Sequence, residues 1–290
     1  MKAVPEVILN SKPIDLGGFL VQRVLPMAVQ RMVGPFIFLD HMGPHEFPVG
    51  KSMVVRAHPH IGLSTLTYLF AGRIHHRDSL GYSQVIEVGD VNWMIAGKGI
   101  AHSERGVEGD DSKVRTLHGL QFWVALPDSD EDQDPSFVHY GKSQLPKISN
   151  VLLDADVIVG EWQGQRSPVK CTSPTIFINI KGRSSGKFSF KTESNQLAIY
   201  VLAGTVTVAG SKYQPMQLLV FSPQSEIEVE IDINSHFVMF GGLPFVKPKQ
   251  IWWNFVSSSK EKMEIAKTNW NNGDFPMVPS EVDRIMAPQF

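Results

Sequence analysis

Apolar and polar positions alternate along most of this chain, in short runs that stop at glycine and proline. Residues 15–43 contain DLGGFLVQRVLP and VGPFIFLDHMGP. KSMVVRAH (51–58), LSTLTYLF (63–70) and IHHRDS (74–79) follow, with Gly72 marking a tight turn between the last two. QVIEVGDVNWMIAG (84–97) and KVRTLHGLQFWVALP (113–127) continue the pattern. A period of two reads as strand, and strands returning about every 8–12 residues read as a sandwich or barrel. The second half repeats the texture in KFSFKTES (187–194), LAIYVLAGTVTVAG (197–210), MQLLVFSP (216–223), EIEVEID (226–232) and HFVMFGGLP (236–244).

Within this texture AIYVLAGTVTV resembles TLTYLFAGRIHH: strand, Ala-Gly turn, strand. The faint repeat predicts two copies of one barrel, with residues 1–135 as the first and 136–290 as the second plus a tail. The acidic run DSDEDQDP (128–135) reads as a solvated loop and, through about residue 147, as the start of the connection between the barrels. The tail changes character. SSKEKMEIAKTNW (258–270) predicts a helix with a serine N-cap and Glu261 and Lys262 in its first turns, beside a hydrophobic seam covered by Trp252 and Trp253. The fold class expected is all-β with one short C-terminal helix.

Composition narrows the function classes. The chain has 290 residues, 42% of them apolar, and a formal charge of −2. It has no basic excess to neutralise phosphates, so nothing electrostatic supports direct nucleic-acid binding. Cys171 is the only cysteine, which excludes an intrachain disulfide. The N-terminus lacks the apolar core of a secretory signal, and no stretch reaches the roughly 18 apolar residues of a membrane span. These features lead to the expectation of a soluble, cytoplasmic protein, a monomer without membrane contact.

Two short words carry the candidate chemistry: HPH at 58–60 and HSE at 102–104. Each sets two potential ligands at i and i+2, which share one face of a strand. His58 with His60, and His102 with Glu104, can therefore converge on one point. Buried imidazoles and a buried carboxylate need partners, and one divalent cation satisfies all four. Three imidazoles and a carboxylate without thiolate suit an open, redox-capable or Lewis-acidic site better than a closed structural zinc site. Fe(II) is the expected metal; Mn, Ni, Co, Cu or Zn suit the same donors. His236, the lone histidine of the second copy, reads as a surface or packing residue.

The chain resembles the pirin family of the cupin superfamily. The likeness runs through VGPFIFLDHMGP (33–44), RAHPHIGLSTLTYLFAG (56–72), VGDVNWMIAGKGIAHSE (88–104), LHGLQFWVALP (117–127) and IWWNFVSSSKE (251–261). It implies a bicupin, with metal in the first barrel only, and ligands at His58, His60, His102 and Glu104, normally holding iron. One departure stands out. Many cupins place a Glu shortly after H-x-H, where this chain has Ser64; the carboxylate then comes from Glu104 alone. Family members are linked to two activities. One is oxygenation of a flavonol such as quercetin, with ring cleavage and release of carbon monoxide. For that, Glu104 would take the substrate's hydroxyl proton, and Phe38, Trp93 and His118 are candidate pocket walls. The other is redox-dependent binding of a protein partner, a transcriptional regulator or a metabolic enzyme, which would also allow a nuclear location. The expected ligands are thus a small aromatic substrate with dioxygen, or a protein.

Overall fold

The computed structural model describes residues 3–16 and 18–288. The chain forms two compact units. One comprises Arg23–Phe36 and Ser143–Phe245 with the chain up to Lys12; the other comprises Pro13–Gln22, Ile37–Lys142 and the chain from Val246 on.

Both units follow one plan. The unit holding the two histidine words contains a four-stranded sheet in the order Val54–His60, Ile100–Arg105, Ile74–Asp78, Ser83–Ile86. A seven-stranded sheet faces it, with Ser136–Tyr140, Val91–Ile95, Leu63–Ala71, Arg115–Ala125 and Phe36–Phe47 in sequence across it, then Leu20–Leu25 and Lys12–Asp15. In the other unit the seven-stranded sheet runs Val7–Asn10, Gln217–Phe221, Gln196–Ala203, His236–Gly242, Thr175–Gly182, Leu153–Val159, Lys147–Ser149. Its four-stranded sheet runs Gly186–Lys191, Glu226–Ile231, Val206–Val208, Ser211–Tyr213. The repeat seen in the sequence has a structural meaning. Leu63–Ala71 and Gln196–Ala203 are each the third strand of a seven-stranded sheet. Each passes through a glycine with positive φ (Gly72, 83°; Gly204, 64°) into the third strand of the four-stranded sheet. A Cβ on Gly72 would stand 2.5 Å from the Thr116 carbonyl, and one on Gly204 2.2 Å from that of Asn234, so both turns need glycine.

The units do not meet at residue 135. The tail expected with the second barrel belongs to the first, and the N-terminal strand Val7–Asn10 belongs to the second, where Val7 pairs with Val220 and Asn10 with Gln217. The reason is packing. The helix Lys260–Asn272 is capped by Ser259, whose Oγ accepts from the Lys262 amide, and ends at Gly273. It buries Met263, Ala266 and Trp270 in one cluster with Ala57 and Ala101, which come from the two strands carrying the histidine words. Six strands between residues 136 and 182 come from a stretch in which the alternation is too broken to mark them. Among the described residues no helix is long and apolar enough to cross a membrane.

Candidate metal centre

The two words lie on adjacent antiparallel strands, with His102 directly opposite His58 and Ile100 opposite His60. The ladder slips between His102 and Glu104, so Glu104 faces Val55. On its other edge the same strand is in unbroken register with Ile74–Asp78: His102 pairs with Asp78 and Glu104 with His76. Alternation then puts His58, His60 and His102 on one side, and Ala57 and Ala101 on the other, beneath the tail.

The three imidazoles offer nitrogen atoms within 4.8 Å of one another, and all three are buried. Their ring centroids are 5.0 Å (His58–His60), 4.4 Å (His58–His102) and 5.0 Å (His60–His102) apart. Hydrogen bonding defines which nitrogen each ring presents. Nδ1 of His58 lies 2.8 Å from the carbonyl oxygen of Arg56, and Nδ1 of His60 lies 2.9 Å from that of Asn254. A carbonyl can only accept, so both Nδ1 atoms carry the proton and both Nε2 atoms keep a lone pair. His102 turns its Nδ1 toward Nδ1 of His76 at 3.4 Å, and Nε2 of His76 lies 3.0 Å from Oδ2 of Asp78. Oδ1 of Asp78 accepts the amides of Leu80 and Tyr82. With His76 donating through Nε2 to Asp78, its Nδ1 accepts from His102, and the His102 Nε2 is the third lone pair. That Nε2 is buried with no hydrogen-bond partner among the described residues.

Glu104 stands beside this triad. Its Oε1 is 3.5 Å from Nδ1 of His102, and its Oε2 is buried without a partner. Burial pushes its carboxyl up to about 8. Burial likewise lowers His58 to about 4, and holds His60 and His102 well below the usual imidazole range, with the neighbouring histidines adding to each shift. The rings are neutral at pH 7, as metal ligation requires. Orphaned lone pairs in an enclosed polar cluster are costly unless a cation takes them. The donor set, nitrogen-rich and free of thiolate, suits a first-row transition metal with coordination positions left over for other ligands.

An aromatic wall adjoins the triad. Trp123 meets His60 edge-on at 4.9 Å, and Phe38 stacks on Trp123 at 4.1 Å. Trp93 does not share this wall. Trp123 is in register with Thr65, and Thr65 with Met94, whereas Trp93 pairs with Leu66; alternation turns Trp93 to the opposite sheet face. Ser64, at the position of the usual cupin Glu, lies on that same opposite face, opposite Val124 and Ile95. His118 pairs with His41, Nε2 to Nε2 at 2.8 Å, and touches Phe70. His236 of the other unit is half-buried and bonded through Nε2 to Oδ1 of Asn179, a packing role.

Sequence reasoning missed His76 and Asp78, although HRD at 76–78 has the same i, i+2 spacing as HPH and HSE. It also missed Trp123 and the Asn254 carbonyl. A main-chain acceptor carries no residue-type signal.

Comparisons with known proteins agree with this architecture. The pirin family model matches residues 18–124, and the model for the pirin C-terminal cupin domain matches residues 177–276. A pirin-like protein of Caulobacter vibrioides is 45% identical over 271 residues, 92% of this chain and 93% of its own length. The crystal structure of a quercetin 2,3-dioxygenase from Acinetobacter baumannii is 33% identical and superposes with a TM-score of 0.91, over 98% of this chain and 95% of that one. With its two seven-plus-four-stranded barrels, a bicupin, the chain belongs to the pirin family.

Proposed function

We propose that this protein is a mononuclear metal-dependent dioxygenase that opens the ring of a flavonol such as quercetin, releasing carbon monoxide. The observation that carries the reading is the convergence of three neutral imidazoles, each with Nε2 free, beside a flat aromatic wall. The likeness to a quercetin 2,3-dioxygenase supports it. His58, His60, His102 and Glu104 would hold the ion, and Fe(II) is the metal proposed. Bound there, it would lower the pKa of an enolic hydroxyl and supply the redox chemistry toward dioxygen.

The chain's own residues do the rest. Trp123 and Phe38 present stacked rings on which a planar aromatic substrate can lie. Glu104 is the base. Its buried Oε2 has no hydrogen-bond partner among the described residues and, once the carboxyl is ionised, can accept the proton of the flavonol's hydroxyl. The carbonyls of Arg56 and Asn254, and the His76–Asp78 pair, hold the imidazoles in one orientation.

The test is aerobic quercetin consumption, with carbon monoxide detection, by protein loaded with Fe(II). Wild type should turn over, and His58→Ala and Glu104→Ala should fall to background. Equal rates for all three would overturn the enzyme reading and favour metal-dependent binding of a protein partner.

A further inference from the structure

The acidic run 128–135 is not a simple solvated loop. Glu131 within it is only 2% exposed, and Lys249, at the start of the tail, only 3%. Lys249 Nζ donates to Glu131 Oε1 at 2.6 Å and to Asp128 Oδ1 at 2.5 Å. Ser257 Oγ donates to Glu131 Oε2 at 2.8 Å, and the Ser258 amide to Oε1 at 2.7 Å. One buried carboxylate therefore grips both ends of the hairpin formed by Gln250–Trp252 and Phe255–Ser257. A buried ion pair is a weak device for stability, since desolvation offsets much of its attraction. Its use here is better sought in what the hairpin presents.

That hairpin presents the Asn254 carbonyl to His60, 194 residues away in sequence. Its two-residue turn holds Trp253 at a φ of 52°, a left-handed conformation that a bulky side chain adopts only when its surroundings enforce it. The contact continues along the ligand strand. Val256 N donates to the Ile61 carbonyl, and further along the tail Ile285 N donates to that of Ala57. The tail thus lines the edge strand that carries His58 and His60.

We propose that Glu131 is a positioning residue for His60: through Lys249, Ser257 and Ser258 it locks the tail hairpin, and so the Asn254 carbonyl that fixes which nitrogen His60 offers the metal. The inference rests on the metal reading above. In metal sites, outer groups that orient a histidine ligand matter to affinity about 10–100-fold.

The experiment uses the full chain, stripped and titrated with Co(II), with affinity read by chelator competition and ligand field by visible absorption. Glu131→Gln should weaken Co(II) binding by about tenfold and alter the absorption bands, as loss of an orienting contact does. Should that variant fold poorly with the buried Lys249 keeping Asp128 but losing the Glu131 carboxylate, Glu131→Gln/Lys249→Met removes both charges and should show the same affinity loss. Asn254→Ala should bind as wild type does, because the carbonyl belongs to the backbone. Unchanged affinity and spectrum in folded Glu131 variants would overturn the proposal, leaving the clamp as a stability element. A wild type that takes up no Co(II), or a His60→Ala variant that binds as wild type does, would sink the metal reading and this inference with it.

Discussion

The two barrels share a layout and differ in what fills them. In one four-stranded sheet Val54–His60 pairs with Ile100–Arg105, setting His58 against His102. In the other Gly186–Lys191 pairs with Glu226–Ile231 in the same order, setting Phe188 against Val229 and Phe190 against Ile227. Where the first barrel gathers three histidines beside a glutamate, the second has Ile227, Val229 and Ile231 in a continuous apolar cluster with Ile178, Phe237 and Met239, against which Phe188 and Phe190 pack. The second interior is stable by itself, since apolar burial needs no partner. The first leaves His102 Nε2 and Glu104 Oε2 buried and unpaired, which costs free energy in the metal-free protein. One architecture thus serves as a plain core or as a site, according to a few side chains on two strands.

Giving the first barrel the apolar residues of the second should have the largest effect. His58→Phe with His60→Phe should abolish metal uptake, a loss of more than about 100-fold, since these are proposed ligands and not merely outer contacts. Elemental analysis of purified protein checks it, and retained stoichiometric metal would disprove the ligand assignment. The converse change tests the apolar barrel. Phe237→Ala should cost about 3–5 kcal/mol in denaturant unfolding, with metal content unaltered.

A pH titration sharpens the role of Glu104. Its carboxyl titrates near 8 in the metal-free protein, so below that it is protonated and an incoming ion must displace the proton. Affinity for Co(II) should therefore rise by about tenfold per pH unit up to about 8 and then level off. His60 and His102, already neutral, add nothing to this slope. Calorimetry in buffers of different ionisation enthalpy should count about one proton released per ion at pH 7. Zero protons would remove Glu104 from the ligand set. The smallest effect is expected at Asp78. Asp78→Asn weakens the hold on His76 and through it on His102, and should lower Co(II) affinity by about tenfold. No change in a competition titration would show that His102 needs no such support.

The convergence of the three histidines was legible because its geometry is local: residues two apart on a strand share a face whatever the rest of the chain does. The repeat was legible for a similar reason, since Gly72 and Gly204 each sit at a turn that excludes a side chain. Other features were hidden. Glu131 sits in a run of acidic residues that composition assigns to water, yet it is buried because Lys249, Ser257 and Ser258 arrive from more than 100 residues downstream. Trp93 reads as a candidate pocket wall in the sequence, but its register against Leu66 turns it away. The N-terminal strand was similarly opaque, because nothing in VILN indicates that its edge partner is Gln217–Phe221.

The strands of the alternating stretches, the two-barrel texture and the spacing of the histidine words are properties of the sequence alone, since they follow from periodicity and side-chain chemistry over a few residues. Tertiary structure decided which strands lie side by side, and hence that His102 faces His58, that His76 and Asp78 stand behind His102, and that the tail closes over His60. Those are choices of register and of long-range pairing. They depend on how whole faces are buried against one another, which no local pattern encodes.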